Sequence, residues 1–305
     1  MKNMLKIVVF IAALAFTAGC TGKNGIAESR AITDRSGRTV VIKGEINRIV
    51  STAPSNTEII VDLGLTDKLV AIDRYSTDIS GLPSGLSRID FSYPDAEAIL
   101  GLEPDLILAN GHNPTVSGGD PLRLLSEMGI PVVYISMSKS INDIYEDIAF
   151  IADLLSVKDR GEALIDSMKT RIDELAQKTS QAKTIRSVYF ELSPAPEMFT
   201  FGRGSYISDM ITAIGGRNIF GDDNWILTPS AEAIIKRNPD VILTSVDYTE
   251  DPIGEIKNRD GFEHISAVIN NRIFLINTNS ISRPSARIIL ALNQMAQAVY
   301  PEVYE

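Results

Sequence analysis

The sequence predicts an α/β protein with two lobes of similar design, and a repeated segment is the first reason. Asp95–Asn110 reads DAEAILGLEPDLILAN, and Ser230–Ser245 reads SAEAIIKRNPDVILTS. The copies agree at eight of sixteen positions and start 135 residues apart, whereas solenoid repeats recur about every 20–50 residues. Each copy has a helix cap, an apolar periodic stretch, Pro-Asp and a run of Ile, Leu and Val, which predicts a helix followed by a buried strand. Alternating strand and helix patterns and one long helical segment between the copies are the other two reasons.

The first half of the chain alternates between strand and helix patterns. In chain order, the predicted elements are a hairpin at Ile32–Lys43, a strand at Arg48–Ser51, a helix at Asn56–Leu63, a strand at Leu69–Ile72, a loop at Asp78–Arg88, the first repeat copy, a helix at Leu122–Met128 and a strand at Val132–Ile135. Gly64 and Gly129 follow the two helices, where glycine commonly ends a helix. This alternation predicts a mostly parallel sheet with helices on both faces.

A long helix is predicted between the repeat copies. Apolar residues recur at three- and four-residue spacing from Ile165 to Leu175, and no strand pattern occurs in Asn142–Lys183. A helix over Lys158–Gln181 would be roughly 36 Å long at about 1.5 Å per residue. Because it separates the two copies, we interpret it as a rigid connection between the lobes. The alternative is an ordinary amphipathic helix packed on the first lobe.

A second α/β series follows the long helix. Its predicted elements are a strand at Ser187–Glu191, a helix at Tyr206–Ile214, the second repeat copy, a strand at Arg272–Ile276 and a helix at Ser285–Tyr300. The domain organisation expected from these patterns is a first lobe at 31–157, a connecting helix at 158–183 and a second lobe at 184–305.

The first nineteen residues predict a signal peptide. Two lysines precede the apolar run Ile7–Phe16, which is too short for a membrane span of about 20 residues. Cys20 is the only cysteine and follows Ala18-Gly19, an arrangement that resembles the lipobox of bacterial lipoproteins, whose cysteine is acylated. We therefore expect a lipid anchor at Cys20 on the outer face of the cytoplasmic membrane, with 20–30 as a polar tether. The alternative is an ordinary signal peptide with an incidental thiol.

Composition and missing motifs disfavour several classes of protein. The net charge of −10 makes nucleic acid an unfavourable partner. The two histidines, His112 and His264, fall in different predicted lobes, so we expect no site for a bare metal ion built from several histidines. The chain has no HExxH, GxSxG or GxxxxGK[ST] motif, and Gly202–Ser205 is interpreted as a loop that leads into a helix. An enzyme is the weaker hypothesis.

Two α/β lobes, a long connecting helix and a lipid anchor together resemble the helical-backbone solute-binding proteins of ABC importers. Members of this family carry ferric siderophores, haem or cobalamin. The resemblance covers Thr33–Pro301 and is most specific in Arg48–Glu58, in Asp73–Ser76, in the repeat copies and in Arg283–Leu290. Within the family, the order of these motifs is most similar to the vitamin B12-binding members.

The resemblance implies a monomeric binding protein that performs no reaction and has no resident cofactor. Its ligand is a metal complex held in a cleft between the lobes. Its partner is an ABC permease dimer with a cytoplasmic ATPase. The competing class is an exported, chelatase-like enzyme on a similar two-lobed scaffold, which would need a cluster of titratable groups in the cleft.

The resemblance also assigns residues to the cleft. Tyr75, Phe91 and Arg283 match family positions near the ligand. Ile226 falls where the second lobe of the family has an aromatic residue, and the neighbouring Trp225 would take that role. The expected ligand-binding residues further include Asn279, which stands where the family has a carboxylate.

Arginine residues keep the identity of the ligand open. Arg74, Arg203 and Arg283 lie in loops predicted to face the cleft, where three cations would favour an anionic ligand such as a ferric siderophore or the haem propionates. The alternative for Arg74 and Arg203 is an ordinary solvated loop position. Tyr75, Tyr206 and His112 are the candidates for ligands of haem iron. A corrinoid, a ferric siderophore and haem all remain open.

The repeated glutamates Glu97 and Glu232 are predicted to dock the permease. Each lies in the first turn of its helix, where a carboxylate complements the helix dipole by about 0.3–1 kcal/mol. That effect does not explain why both copies contain Ala-Glu-Ala. The resemblance implies that these two positions are exposed, one on each lobe, and bind arginines of the two identical permease subunits.

Overall fold

A parallel sheet forms the centre of each half of the protein. The computed structural model describes residues 29–111 and 119–304. The predicted signal peptide, Cys20, the tether up to residue 28 and His112 lie outside the described residues. The described residues form two α/β lobes, as the sequence predicts. The lobe limits at residues 157 and 184 stay a prediction.

The first lobe contains seven described strands. They are β1 (Ser29–Thr33), β2 (Thr39–Lys43), β3 (Ile49–Ser51), β4 (Leu69–Asp73), β5 (Ser87–Ile89), β6 (Leu106–Asn110) and β7 (Val132–Ile135). β1 and β2 form the predicted antiparallel hairpin. The other five form a parallel sheet in the order β5-β4-β3-β6-β7. β5 occupies the end of the segment predicted as a loop.

Three helices accompany this sheet: α1 (Pro54–Asp62), α2 (Ala96–Leu100) and α3 (Arg123–Glu127). The sequence predicts all three, but α1 begins two residues earlier than expected. Pro54 stands in its first turn, where a missing backbone N–H costs nothing because that group has no partner within the helix.

Two helices join the lobes: α4 (Ile141–Leu154) and α5 (Lys158–Thr179). The predicted long helix is thus confirmed as α5, which has 22 residues. It packs so closely against α4 that a Cβ atom added to Gly161 would lie only 2.4 Å from the Cβ of Ala152. The N-terminus of α4 also contacts the second lobe, since the backbone N–H of Ile141 donates to the Asp209 carboxylate at 3.2 Å.

The second lobe repeats the design of the first. Its elements are β8 (Ser187–Glu191), β9 (Thr200–Phe201), α6 (Tyr206–Ala213), β10 (Arg217–Asn218), β11 (Ile226–Leu227), α7 (Ala231–Arg237), β12 (Val241–Thr244), α8 (Pro252–Lys257), α9 (Ser266–Ile269), β13 (Ile273–Leu275), α10 (Thr278–Ser282) and α11 (Ile288–Val299). The parallel sheet has the order β10-β8-β12-β13, and β9 pairs with β11 in antiparallel fashion. The sequence did not predict α8, α9 and α10, because helices of four to six residues leave no periodic pattern.

The repeated segment has the same structure in both lobes. Each copy gives a helix and then a central strand, α2 and β6 in the first lobe and α7 and β12 in the second. The side chain of Asp95 accepts a hydrogen bond from the N–H of Ala98 at 3.0 Å, and Ser230 accepts from Ala233 at 3.3 Å. Both are therefore N-caps, as predicted.

The Pro-Asp pair of each copy anchors the neighbouring strand. A carboxylate oxygen of Asp105 accepts the backbone N–H groups of Asn47 and Arg48, both at 2.8 Å, just before β3. Asp240 accepts the N–H of Ser187, the first residue of β8, also at 2.8 Å. The repeated aspartates thus hold equivalent strand pairs, β3 with β6 and β8 with β12.

One apolar cluster extends across both lobes, beside a separate cluster within each lobe. The cluster that extends across both lobes includes Ile59 of α1, Ile148 of α4, Met168 of α5, Ile211 of α6 and Leu292 of α11. Helices of both lobes thus pack in one layer, which restrains the movement of one lobe relative to the other. Within residues 29–111 and 119–304, no helix is long and apolar enough to cross a membrane.

Candidate ligand-binding cleft

A cavity of about 520 Å³ lies between the two lobes. The first lobe lines it with residues at or just after the carboxyl ends of its five parallel strands, among them Ser55, Tyr75 and Ser136. The carboxyl ends of these strands meet at one edge of the sheet, which is where open α/β sheets bind their ligands. The second lobe lines the opposite side from Phe201 to Pro284.

Aromatic side chains of both lobes line this cavity. Tyr75 and Phe91 come from the first lobe, with ring centroids 6.3 Å apart and ring planes inclined by 55°. Trp225 comes from the second lobe and is followed by Ile226, which lines the cavity as well. The three predicted aromatic residues therefore line the same cavity. Walls of this kind suit large planar or rigid molecules.

Phe201 is a further aromatic residue of the lining that the sequence did not predict. It lies in β9, and a two-residue strand gives no periodic signal that could have indicated its position. Tyr206, a candidate ligand of haem iron, also lines the cavity. Its hydroxyl donates a hydrogen bond of 2.7 Å to the carbonyl oxygen of Ile281, so it already has a partner in the described structure.

Arg283 lines the cavity and connects the two lobes. Its guanidinium group donates to the Glu58 carboxylate at 3.1 Å and to the two Asp78 carboxylate oxygens at 2.9 and 3.1 Å. It also donates to the carbonyl oxygen of Tyr75 at 2.9 Å. Asn279 binds the same Asp78 carboxylate, to which its side-chain amide donates a hydrogen bond of 2.7 Å. The charge of Arg283 is thus compensated by the protein.

Glu58 is the buried end of this interlobe network, with a side chain only 1% exposed. Ser285 donates to it at 2.6 Å, and Arg287 lies 3.7 Å away. Burial raises the pKa of Glu58, and the hydrogen bonds from Ser285 and Arg283 counteract part of this effect. Partial burial also disfavours the charged form of Asp78, but Arg283 outweighs it and lowers the pKa of that carboxyl.

The three predicted arginines do not converge in this cavity. Arg74 does not belong to its lining: it forms an ion pair with Asp90 at 2.9 Å, and its guanidinium lies 4.8 Å from the ring centroid of Tyr75. It also donates to the Tyr75 hydroxyl at 2.8 Å. Arg74 therefore contacts Tyr75 from outside the cavity. The sequence did not predict this, because no local pattern indicates that Asp90 compensates the charge of Arg74.

Arg203 lines a second cavity, which adjoins the first. The main chain fixes its position next to Trp225: the N–H of Trp225 donates to the Arg203 carbonyl at 2.8 Å, and Gly202 donates to the Trp225 carbonyl at 2.6 Å. A Cβ atom on Gly202 would lie 2.2 Å from the carbonyl oxygen of Asp223, so only glycine fits there. The loop leads into α6, as predicted, and Ser205 caps that helix.

Asp147 is a buried carboxyl group of the cavity lining that the sequence did not predict. It accepts hydrogen bonds from Arg35 at 2.7 Å and from Ser138 at 2.9 Å. Burial raises its pKa to about 6, although Arg35 and Ser138 favour the charged form. Arg35 is 112 residues away in the sequence, so no local pattern indicated this pair.

Within the part of the chain that the structure describes, no group of three or more His, Cys, Asp or Glu residues could hold a metal ion. His264 is 77% exposed and lies 3.4 Å from Glu263 on the second lobe. The described lining of the cleft offers apolar surfaces, hydroxyl groups and compensated charges, an arrangement that supports binding.

Glu97 and Glu232 are exposed at equivalent positions of the two lobes. Each lies in the first turn of its helix, α2 or α7. Hydrogen bonds from its own backbone N–H and from the Ser230 hydroxyl lower the pKa of Glu232, so this carboxylate is charged at neutral pH. Neither glutamate forms an ion pair within residues 29–111 and 119–304 that would occupy its carboxylate.

The chain is similar to known binding proteins along most of its length. Residues 49–279 match the family described as periplasmic binding protein. The chain is 30% identical over 282 residues to YvrC of Bacillus subtilis, an uncharacterized ABC transporter substrate-binding lipoprotein. This match covers 90% of this chain and 86% of that protein. It is 30% identical over 253 residues to the vitamin B12-binding protein of Vibrio cholerae, covering 81% and 87%.

The fold also matches a solved structure. A possible iron-binding (periplasmic solute-binding) protein from Staphylococcus epidermidis superposes with a TM-score of 0.78 at 30% sequence identity. The match covers 84% of this chain and 99% of that protein. The same arrangement of two lobes is therefore found in a solute-binding protein.

Asp147 predicts a specific pH dependence of stability. A carboxyl in the unfolded chain titrates near pH 3.9 or so, whereas burial raises the pKa of Asp147 to about 6. Between these two pH values Asp147 is protonated in the folded protein and ionised in the unfolded chain. The contribution of this protonation to the free energy of unfolding is therefore complete below about pH 4 and is lost as the pH rises through about 6. Asp147→Asn cannot ionise, and its melting temperature relative to wild type should therefore increase between about pH 4 and pH 7.

Thermal unfolding of both proteins across this pH range measures the difference. Asp166→Asn, at an exposed position of α5, is the matched control and should show a difference that does not change with pH. A constant difference for Asp147→Asn as well would contradict the raised pKa.

Proposed function

The chain belongs to the periplasmic binding protein family, and we propose that it captures a corrinoid such as cobalamin, or a ferric siderophore, for an ABC importer. The family binds solutes outside the cytoplasm and works with a permease and an ATPase. We propose that this member acts as a monomer, held to the outer face of the cytoplasmic membrane by a lipid on Cys20. It binds the metal complex as cargo and releases it unchanged.

The lining of the interlobe cavity carries this proposal. Tyr75 and Phe91 on one lobe and Trp225 on the other offer aromatic faces to a single space. A rigid macrocycle or metal chelate with two broad faces fits between such walls, and the lining also contains polar side chains such as Asn56 and Ser138. The similarity to the vitamin B12-binding protein of Vibrio cholerae supports a corrinoid among these ligands.

Haem is the alternative ligand, and among the candidate ligands of its iron, Tyr75 lines the cavity with a hydroxyl that accepts a hydrogen bond from Arg74 at 2.8 Å. The Tyr206 hydroxyl already donates to Ile281, and His112 lies outside the described residues. An exported, chelatase-like enzyme is the alternative of another class. It would need a titratable cluster in the cleft, whereas the Asp147 and Arg283 groups that line the cavity are held in ion pairs.

Capture and release follow from the way in which the lobes are connected. The helices α4 and α5 and the shared core restrain the lobes on one side, while the contacts of Arg283 join them at the wall of the cleft. We propose that the ligand enters through a small opening of the cleft. The permease then binds both lobes and separates them, which breaks the contacts of Arg283 and releases the ligand.

Tyr75→Ala tests the ligand site. If the ring packs on the ligand, its removal should weaken binding by about 1–3 kcal/mol, the contribution of one buried aromatic side chain. The measurement is a titration of the protein with cyanocobalamin, a ferric siderophore and haemin, followed by the fluorescence of Trp225, the only tryptophan. The ligand that binds should quench this fluorescence because Trp225 lines the same cavity.

Tyr93→Ala is the matched control, since Tyr93 belongs to the same lobe, is 82% exposed and does not line the cavity. It should bind like the wild type. The proposed function is wrong if no metal complex binds, and the site is wrong if both tyrosine variants bind equally well.

Cys20→Ala tests the lipid anchor. Two or more acyl chains hold a protein stably at a membrane, so wild type should be recovered in the membrane fraction and the variant in the soluble fraction. Fractionation and immunoblotting measure the distribution. Thr21→Ala, at the next residue, is the control and should remain with the membrane. Recovery of Cys20→Ala in the membrane fraction would rule out this anchor.

Glu97→Ala and Glu232→Ala test docking to the permease. One exposed carboxylate on each lobe matches a partner with two identical subunits, and each loss should weaken docking mainly by slowing association and by reducing its salt dependence. The double variant should abolish transport while its ligand affinity and melting temperature stay unchanged. Surface plasmon resonance with the reconstituted permease measures docking.

The control for this experiment is the double variant Glu162→Ala with Glu174→Ala. It removes the same charge from exposed positions of α5, and it should dock and transport like the wild type. Normal docking by the Glu97 and Glu232 double variant would leave these residues only the role of complementing their helix dipoles.

A further inference from the structure

A second cavity, of about 540 Å³, adjoins the ligand cleft. The two cavities share the residues Ser136, Met137 and Trp225. Trp225 therefore stands at the boundary between them, with residues of both cavities around its ring. A ligand whose broad face packs on Trp225 can extend a substituent from its edge into the second cavity.

Two cationic side chains line the second cavity, one from each lobe. Lys139 follows β7 of the first lobe, and its Nζ lies 5.7 Å from the ring centroid of Trp225. Arg203 follows β9 of the second lobe and donates to the side-chain oxygen of Asn224, a neutral group, at 3.0 Å. Among residues 29–111 and 119–304, neither cation has a carboxylate partner within ion-pair distance.

Two aspartates contact the main chain of these cationic residues, but their carboxylates bind other groups than the cationic side chains. Asp143 accepts the backbone N–H of Lys139 at 2.7 Å and lies in the first turn of α4. Asp223, near Arg203, forms an ion pair with Arg237 at 2.8 Å. The side-chain charges of Lys139 and Arg203 are thus available to a group that enters the cavity. Arg283 at the main cavity differs, because carboxylates of the protein compensate its charge.

The main chain holds Arg203 and Trp225 in a fixed relation. The backbone bonds between Gly202, Arg203 and Trp225 leave little freedom for this loop. Trp225 has a positive φ of 56°. Residues other than glycine rarely adopt this backbone conformation, and where they do, it is often at a binding site. The main chain of Arg203 and Trp225 is therefore held in place by the protein itself.

We propose that the cavity formed around Lys139, Arg203 and Trp225 is an anion subsite of the ligand cleft. It binds a carboxylate or phosphate group at the edge of the metal complex whose face packs on the aromatic side chains. Arginine presents paired donors to such oxyanions, and lysine adds a second charge. Because the two cations come from different lobes, an anion between them also links the lobes when the ligand is bound. This inference rests on the proposed function and specifies its ligand class.

The first test compares ligands with and without anionic substituents, and it relies on how the variant changes each affinity, since cobinamide also lacks the nucleotide base of cobalamin. Cyanocobalamin carries a phosphodiester that dicyanocobinamide lacks, and haemin carries two propionates that its dimethyl ester masks. For the pair that binds, Lys139→Ala with Arg203→Ala should reduce the affinity for the anionic member about ten-fold or more, the scale of a lost charged hydrogen bond. The affinity for the member without the anion should change less than about two-fold. Calorimetric titration measures all four affinities.

Lys183→Ala with Arg171→Ala is the matched control, because it removes one lysine and one arginine from exposed positions away from both cavities. It should bind both members of the pair like the wild type. An equal loss for the two members, or no loss for either, would overturn the anion subsite even though the ligand binds.

The second test needs no metal complex. Iodide and acrylamide both quench tryptophan fluorescence on collision, and Trp225 is the only tryptophan. Uncompensated cations around its ring concentrate iodide but not neutral acrylamide. The Lys139 and Arg203 double variant should therefore reduce the quenching constant of iodide and leave that of acrylamide unchanged. Unchanged iodide quenching overturns the subsite, whereas a lack of binding by every metal complex overturns the proposed function.

Discussion

The contacts of Arg283 fix the position of one lobe relative to the other at the wall of the cleft. This side chain of the second lobe binds Glu58 on α1 and Asp78 in the loop after β4. A buried ion pair contributes little net stability, but loss of one partner leaves an uncompensated charge at a cost of about 3–5 kcal/mol. Its main physical effect is to select one relative position of the lobes. The shape of the cavity, with Tyr75 and Trp225 on opposite lobes, depends on that position.

The shared helical layer restrains the lobes away from the cleft. Side chains of α4, α5 and α11 pack in the same apolar cluster as those of α1 and α6. Separation of the lobes at this layer would expose isoleucine, leucine and methionine side chains, each at a cost of about 1.5–3 kcal/mol. The polar contacts at the cleft involve fewer side chains, and Asp78 among them is 46% exposed. Movement of the lobes is therefore easiest at the mouth of the cleft, where a ligand has to enter.

The charges around the cleft divide into two groups with different consequences. Arg35, Arg74 and Arg283 are compensated by carboxylates, so the aromatic cavity itself presents little net charge. Lys139 and Arg203 lack such partners among the described residues and lie beyond Trp225. An apolar space beside a cationic one suits a ligand with a broad rigid face and an anionic edge. The net charge of −10 is a property of the whole chain and does not describe this local environment.

The sequence alone determined the two-lobed α/β fold, because caps, breaks and apolar periodicity act over short distances. The duplicated helix and strand and the long helix α5 formed close to their predicted limits, and the aromatic residues assigned by resemblance line one cavity. The partners of the charged groups were not predictable. Arg283 and Glu58 are 225 residues apart, and Arg35 and Asp147 are 112 apart. Only the tertiary structure decides which charges are compensated, because electrostatic interaction depends on distance in space and on burial, neither of which a local pattern contains.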